Sequence, residues 1–381
     1  MHSNNQEAFF ALVRAGLWGD NDNLNANDNL YEGVDWGEVY RLAEEQSVIG
    51  LVAAGIENLN ANVNANLNLK VPKEWALQFI GQTLQIEQRN KAMNYFIGVM
   101  TDKMREAGIH TVLVKGQGVA QCYERPLWRA CGDVDLLLDA ENYERAKAFL
   151  IPLASDVETE FTHFKHLGMT IDPWVVELHG TLHSRLSKRI DAELDRIQEE
   201  CLRDGKVREW RDGETDVFLP APDEDVIFVF THILRHFFFE GIGLRQICDW
   251  CRLLYTYKDS LNVPLLEQRL RKMKLMSEWK AFAAFAVEYL GMPVEAMPLF
   301  DENENLKLKA ERICRFVLEV GNFGHKNRRD YHGQSYLVRK FNSFWGRLSD
   351  MLRHFRIFPL DSIWFFGGVL RSGLHAAVRG E

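Results

Sequence analysis

The sequence predicts an α+β fold, a small β-sheet core flanked by N-terminal and C-terminal helical regions. Three observations predict it. Strand-like runs rich in β-branched and aromatic residues occupy the middle of the chain, at Thr111–Val114, Asp133–Leu138 and Trp174–Leu178. Apolar residues recur at helical spacing before and after them. Gly108 on one side, and Pro220 with Pro222 on the other, mark where one pattern gives way to the next. The expected organisation is a helical region over 1–107 with Asn-rich loops, a β-containing core over 108–220 and a helical domain over 221–381.

Residues 6–18 predict a first helix with Phe9, Phe10, Leu12 and Val13 on its apolar side. Residues 36–57 predict a second. The pentapeptide NLNAN appears at 23–27 and 58–62 without a continuing period, so both stretches read as loops rather than a solenoid. A long helix is expected from Lys73 to Ala107, stopped by Gly108. The core then begins with a strand over His110–Val114 and a helix over Val119–Tyr123. The acidic strand, a helix over Ala140–Leu150 and a hairpin over Phe161–His179, turning at Asp172-Pro173, follow. A charged, solvated connector helix is expected over 187–203, and a short strand over Asp216–Leu219. Pro222-Asp223-Glu224-Asp225 reads as the start of a helix through Phe239. Gly241-Ile242-Gly243 breaks it, Leu244–Tyr257 is the next helix, and the pattern stays helical beyond.

The chemistry concentrates in Lys115–Asp139, KGQGVAQCYERPLWRACGDVDLLLD. Asp133 and Asp135 are two residues apart on a strand, so they project from one face. Ionised carboxylates leave water at great cost unless paired or metal-bound. A divalent cation is the simplest reason for the pair. The plainer alternative is two acids capping local backbone N–H groups; the nearby Lys115, Gly116, Arg129 and Glu177 weigh against it. The glycines of Lys115-Gly116-Gln117-Gly118 let the backbone turn and approach a ligand. A helix start beyond them aims N–H groups at an anion. Lys115 adds a point charge and Arg129 a planar fork suited to phosphate oxygens. Downstream, Glu177 shares a strand face with His179, and Asp172 reads as a turn former beside proline.

Lys115-Gly116, Tyr123, Pro126, Arg129 and Gly132-Asp133-Val134-Asp135-Leu136-Leu137 together resemble the nucleotidyltransferase superfamily built on the DNA polymerase β-like core. Within it, they are most similar to an uncharacterised nucleotidyltransferase family. The sharp motif covers about 25 residues, and the helix layout extends the resemblance loosely over most of the chain. The resemblance implies a small mixed β-sheet core and transfer of a nucleoside monophosphate from an NTP to a hydroxyl. It implies a third carboxylate on a later strand, with Glu177 the candidate and Asp172 the rival, and so Asp133, Asp135 and Glu177 as catalytic residues and metal ligands, holding two Mg²⁺ ions, with Mn²⁺ as the alternative. It implies Lys115, Gly116, Gln117, Gly118 and Arg129 as nucleotide- and phosphate-binding residues, and His179 and Arg245 as candidates to line the cleft. Many superfamily members carry a serine after the turn glycine; here Gln117 and Gly118 follow Gly116.

Composition narrows the partners. The formal net charge is -9, which argues against broad nucleic-acid binding and favours a small-molecule or protein acceptor. No stretch reaches the roughly 20 apolar residues of a membrane span. With no signal-peptide core in the first residues and six cysteines at no zinc-finger spacing, a cytoplasmic protein with free thiols is expected. His232 and His236, at i and i+4, read as packing rather than metal ligands. Arg245 and Asp249 read as a helix-face ion pair. Lys326-Asn327-Arg328-Arg329 reads as a solvated loop. The aromatic and basic tail, 341–374, reads as core packing, with peripheral membrane contact as the lesser reading. Two further functions compete: a catalytically weak or inactive module that binds nucleotide or a protein partner, and metal-dependent phosphoester hydrolysis.

Overall fold

The computed structural model describes residues 4–19, 28–61, 69–161, 165–213, 215–321, 354–359 and 362. It has the expected α+β fold. A five-stranded mixed sheet is built from β1 (Val112–Val114), β2 (Asp133–Leu137), β3 (Asp156–Val157), β4 (His166–Ile171) and β5 (Trp174–His179). Their spatial order is β1-β2-β5-β4-β3. β2 and β5 run parallel, and the remaining neighbours are antiparallel. The two-residue alternation of strands gives the sheet two unlike faces. On one, Val134, Leu136, Val176, Leu178, Leu167 and Met169 are buried against two helices. These are α4 (Lys73–Glu106), through Met93, Ile97, Met100 and Met104, and α6 (Ala140–Leu150), through Tyr143, Ala146 and Leu150. Each such aliphatic side chain stabilises the sheet by about 1.5–3 kcal/mol on burial. The other face carries the acids.

Before α4 come α1 (Asn4–Trp18), α2 (Trp36–Glu45) and α3 (Ile49–Ala61). Between β1 and β2 lies the short α5 (Gly116–Ala120). After β5 come α7 (Lys188–Leu202) and a two-stranded ribbon of β6 (Val207–Asp212) and β7 (Thr215–Pro220). Then follow α8 (Pro222–Phe239), α9 (Leu244–Tyr257), α10 (Val263–Met273), α11 (Met276–Leu290) and α12 (Glu304–Val320). Helices that precede the sheet in the chain and helices that follow it share a second hydrophobic core, in which Phe9 and Leu12 join Phe230, Trp250, Trp279 and Phe282.

Several expectations change. The helix expected over 36–57 is two, because Gln46 turns inward between them. Its side chain donates to Val317 O at 3.0 Å and accepts from Leu244 N at 2.9 Å, so a fully buried amide satisfies two helix ends. The helix after β1 starts at Gly116 rather than Val119. α7 is not simply solvated: Ile190, Leu194, Ile197 and Cys201 form a buried stripe. The strand expected over Asp216–Leu219 is one arm of a ribbon whose other arm, VREWRD, hides behind its charges. The 166–179 hairpin turns at Asp172-Pro173 as expected.

All six cysteines are buried and unbridged, including Cys248 and Cys251. Among the described residues no helix is long and apolar enough to cross a membrane. Of the aromatic tail, Ile357 and Phe358 pack into the core, with Phe358 stacked on Phe282. The Lys326–Arg329 cluster, most of the tail and most of the Asn-rich stretches lie outside the described residues.

Candidate active site

The acidic face takes its geometry from the parallel pairing of β2 and β5. Register sets Asp135 opposite Glu177 and Asp133 opposite Val175. Asp135 is only 2% exposed. Its Oδ1 accepts from Lys115 Nζ at 2.6 Å and lies 2.7 Å from His179 Nε2. Glu177 Oε2 lies 3.1 Å from His166 Nε2 and 3.4 Å from His179 Nε2. Three carboxylates, one ammonium and two imidazoles thus converge on one sheet face.

Lys115 reaches this point through an unusual backbone. Its φ of 58° and ψ of -145° put a residue with a Cβ where glycine is the usual occupant, and Gly116 follows at φ 41°. The turn reverses the chain from β1 into α5 and brings the ammonium back against Asp135. Gly118 serves close packing: a Cβ there would stand 2.8 Å from Leu219 Cδ2 and push that side chain of β7 away from α5.

A pocket opens above the acids. Lys115, Gly116, Arg129, Asp133 and Asp135 form one wall. Val229, His232 and Ile233 of α8 and Arg245, Gln246 and Asp249 of α9 form the other. Of the residues singled out in the sequence, Asp133, Asp135, Lys115, Gly116, Arg129 and Arg245 meet there, with Glu177 and His179 adjoining through Asp135. Gln117 does not. It is 1% exposed and its amide donates to Asn90 Oδ1 on α4 at 2.8 Å.

The electrostatics follow from crowding. Asp133 is raised, first by the charge of Asp135 and then by burial. Burial pulls Lys115 down, but Asp135, Glu177 and Asp133 outweigh it and the ammonium is held. Burial opposes ionisation of Glu177, yet hydrogen bonds with His166 and His179 and the charge of Lys115 hold it well below the usual carboxylate range. His179 is raised, because its bonds to Asp135 and Glu177 overcome burial. Burial, then Lys115 and His236, push His232 well down, leaving a neutral imidazole on the pocket wall.

Arg129 lines the pocket but its fork is committed. Nε and Nη2 donate to Asp249 Oδ1 and Oδ2 at 3.0 and 2.6 Å, and Tyr123 Oη donates to the same carboxylate at 2.8 Å. This corrects the helix-face pairing of Arg245 with Asp249: the partner of Asp249 is Arg129, while Arg245 Nη1 donates to Ala130 O at 2.8 Å. His232 and His236 contact one another, Nε2 to Nε2, at 2.9 Å.

A family model described as an uncharacterised nucleotidyltransferase matches residues 32–291. The chain belongs to this nucleotidyltransferase family. No curated protein and no solved structure matches it.

The match spans the sheet and helices α2 to α11, so both walls of the pocket fall inside the nucleotidyltransferase unit. Sequence reasoning missed two parts of it. His166 meets Glu177 only through the β4–β5 register, which opposes it to His179. The second is a stripe on α9: Arg245, Asp249 and Arg252 all reach the 122–130 loop, with Arg252 Nε donating to Cys122 O at 2.8 Å. Their i, i+4, i+7 spacing was the available signal, and it marks one helix face rather than an internal pair.

Proposed function

We propose that the chain transfers a nucleoside monophosphate from an NTP to a hydroxyl of a small molecule or protein. One observation carries this reading: Asp133, Asp135 and Glu177 share one face of the parallel β2–β5 pair, with Lys115 against them, in a chain of the nucleotidyltransferase family. The donor set fits the Mg²⁺ that the resemblance implies. It offers carboxylate oxygens, which suit a hard cation. Asp133 has no ion-pair partner among the described residues and is raised by Asp135, a surplus of negative charge that a cation relieves. Bound by Asp133, Asp135 and Glu177, Mg²⁺ would neutralise phosphate charge and acidify the acceptor hydroxyl.

The chain's own groups have separable parts. Lys115 supplies a fixed positive charge beside the carboxylates, suited to the leaving pyrophosphate. Glu177, held low, stays ionised and serves as a ligand rather than a proton acceptor. Neutral His232 and the aliphatic Val229 and Ile233 form a wall that a nucleoside can lie against.

The burial of Gln117 against Asn90 favours a second reading, nucleotide binding without transfer, since the position after the turn glycine presents no hydroxyl to a triphosphate. Thermal-shift titration of ATP, GTP, CTP and UTP with Mg²⁺ or Mn²⁺ tests both. A ligand at about 100 times its Kd stabilises by roughly 2.7 kcal/mol. The expected result is a cation-dependent shift for at least one nucleotide, lost in Asp133→Asn/Asp135→Asn, with pyrophosphate released once an acceptor is present. A shift with no pyrophosphate under any acceptor supports the binding module. No shift with any nucleotide sinks both.

A further inference from the structure

The hairpin of β4 and β5 places three metal-ligating side chains together. His166 lies opposite His179 in the ladder, and Glu177 precedes His179 by two residues on the same face. Their donor atoms all lie within 4.8 Å of one another. Both imidazole Nε2 atoms point to one carboxylate oxygen, at 3.1 and 3.4 Å. The rings meet edge to face with centroids 4.8 Å apart. In a tetrahedral zinc site, with bonds of about 2.0–2.2 Å, ligand atoms are separated by roughly 3.3–3.5 Å. The two nitrogen–oxygen spacings lie at or just under that bite, and all three donor atoms fall within 4.8 Å.

We propose that His166, Glu177 and His179 bind a first-row transition-metal ion such as Zn²⁺ or Co²⁺. This goes beyond the nucleotidyl-transfer reading, with which it shares Glu177. Two imidazole nitrogens are the wrong donors for Mg²⁺, which prefers an octahedron of oxygens and keeps several waters. They are the right ones for zinc and its neighbours, and later first-row ions gain most from nitrogen. His179 coordinates through Nε2 with its proton on Nδ1. Asp135 Oδ1, 2.7 Å from that nitrogen, then gives up this contact and keeps Lys115. All three side chains retain partial exposure, so an ion has a path in.

The test is Co²⁺ titration of the full chain after chelator treatment, read by d–d absorption and by bound metal per chain. The expected result is one ion per chain that excess Mg²⁺ does not displace. His166→Ala should weaken binding by about 100-fold, at the upper end of what even outer partners of a ligand cost. His110→Ala, at an exposed histidine outside the cluster, should bind as wild type. Should His166→Ala lose its near-UV circular dichroism, His166→Gln replaces it. A wild-type measurement independent of variants is Cu²⁺ electron paramagnetic resonance, where nitrogen hyperfine coupling is expected. Unchanged Co²⁺ binding in the His166 variant, displacement by Mg²⁺, loss in His110→Ala, or no nitrogen coupling each overturns the proposal. Co²⁺ binding without any nucleotide-dependent shift leaves this site standing and removes only the transfer reading; the reverse pattern removes only this site.

Discussion

Asp249→Asn tests how the two walls of the pocket are held together. The side chains of Arg129 and Asp249 are each 7% exposed, joined by bonds of 2.6 and 3.0 Å, with Tyr123 Oη a third donor at 2.8 Å. Asparagine keeps the shape but offers one acceptor oxygen to three donors and turns its own amide N–H toward one of them. Arg129 is then a buried cation without a counter-charge. Burial lowers its charged form's stability, and Asp249 is what keeps its pKa above normal. Breaking a buried pair from one side costs about 3–5 kcal/mol. We expect about 3 kcal/mol for Asp249→Asn, since one hydrogen bond survives. Replacing both partners, Arg129→Met with Asp249→Leu, should recover much of the loss and give a coupling energy of at least about 2 kcal/mol in a double-mutant cycle. The assay is urea unfolding followed by tryptophan fluorescence, with the midpoint compared at unchanged slope. A loss below about 1 kcal/mol, the range of exposed pairs, would refute the reasoning.

Three further outcomes follow from the geometry. Burial, then a hydrogen bond with Glu200, raises Glu224 to about 7. Its folded pKa lies above its unfolded one, so the folded state holds the extra proton and stability falls as pH rises from the ordinary glutamate range through about 7. Glu224→Gln should flatten that fall in Tm between about pH 5 and 8, and a profile parallel to wild type would contradict it. Gly16→Ala would place a Cβ 2.0 Å from Leu51 O, forcing α1 and α3 apart; the cost should be at least about 2 kcal/mol in the same unfolding assay, and a smaller one would show that the helices separate freely. Asp133→Asn removes the repulsion that Asp135 exerts, so in chelator the variant should melt above wild type at pH 7; a lower Tm would mean that Asp133 is already compensated.

Much of the fold was legible because local signals were strong. α6, α9 and the long α4 kept close to their expected bounds, since apolar periodicity and a stop such as Gly108 at φ 68° act within a few residues. The acid face was legible because strand alternation is a fixed geometric rule, and it sets Asp133, Asp135 and Glu177 on one side once the strands are found. What escaped depends on partners distant in sequence. Gln46 breaks a helix because Leu244 and Val317 need its amide. Asp249 looked like the partner of Arg245 because spacing along a helix is visible in sequence and the approach of Arg129, 120 residues away, is not. His166 gained its neighbours from hairpin register alone.

The motif Lys-Gly, Tyr, Pro, Arg, Gly-Asp-x-Asp therefore divides into two kinds of work. Lys115, Asp133 and Asp135 form the charged floor of the pocket, and Tyr123 and Arg129 fasten the loop between them to α9. The floor is unfavourable by itself. It sets like charges together, raises Asp133 and holds Lys115 in a backbone conformation that costs of order 1–3 kcal/mol. Such an arrangement persists only where the surroundings over-determine it. Here they do: the loop connecting Lys115 to Asp133 is tied at Cys122, Tyr123, Arg129 and Ala130 by three residues of one helix face. The brace lets the floor keep its charge crowded. Without Asp249, Tyr123 and Arg129 lose their shared acceptor on α9, and of its ties to that helix the loop keeps only those at Cys122 and Ala130.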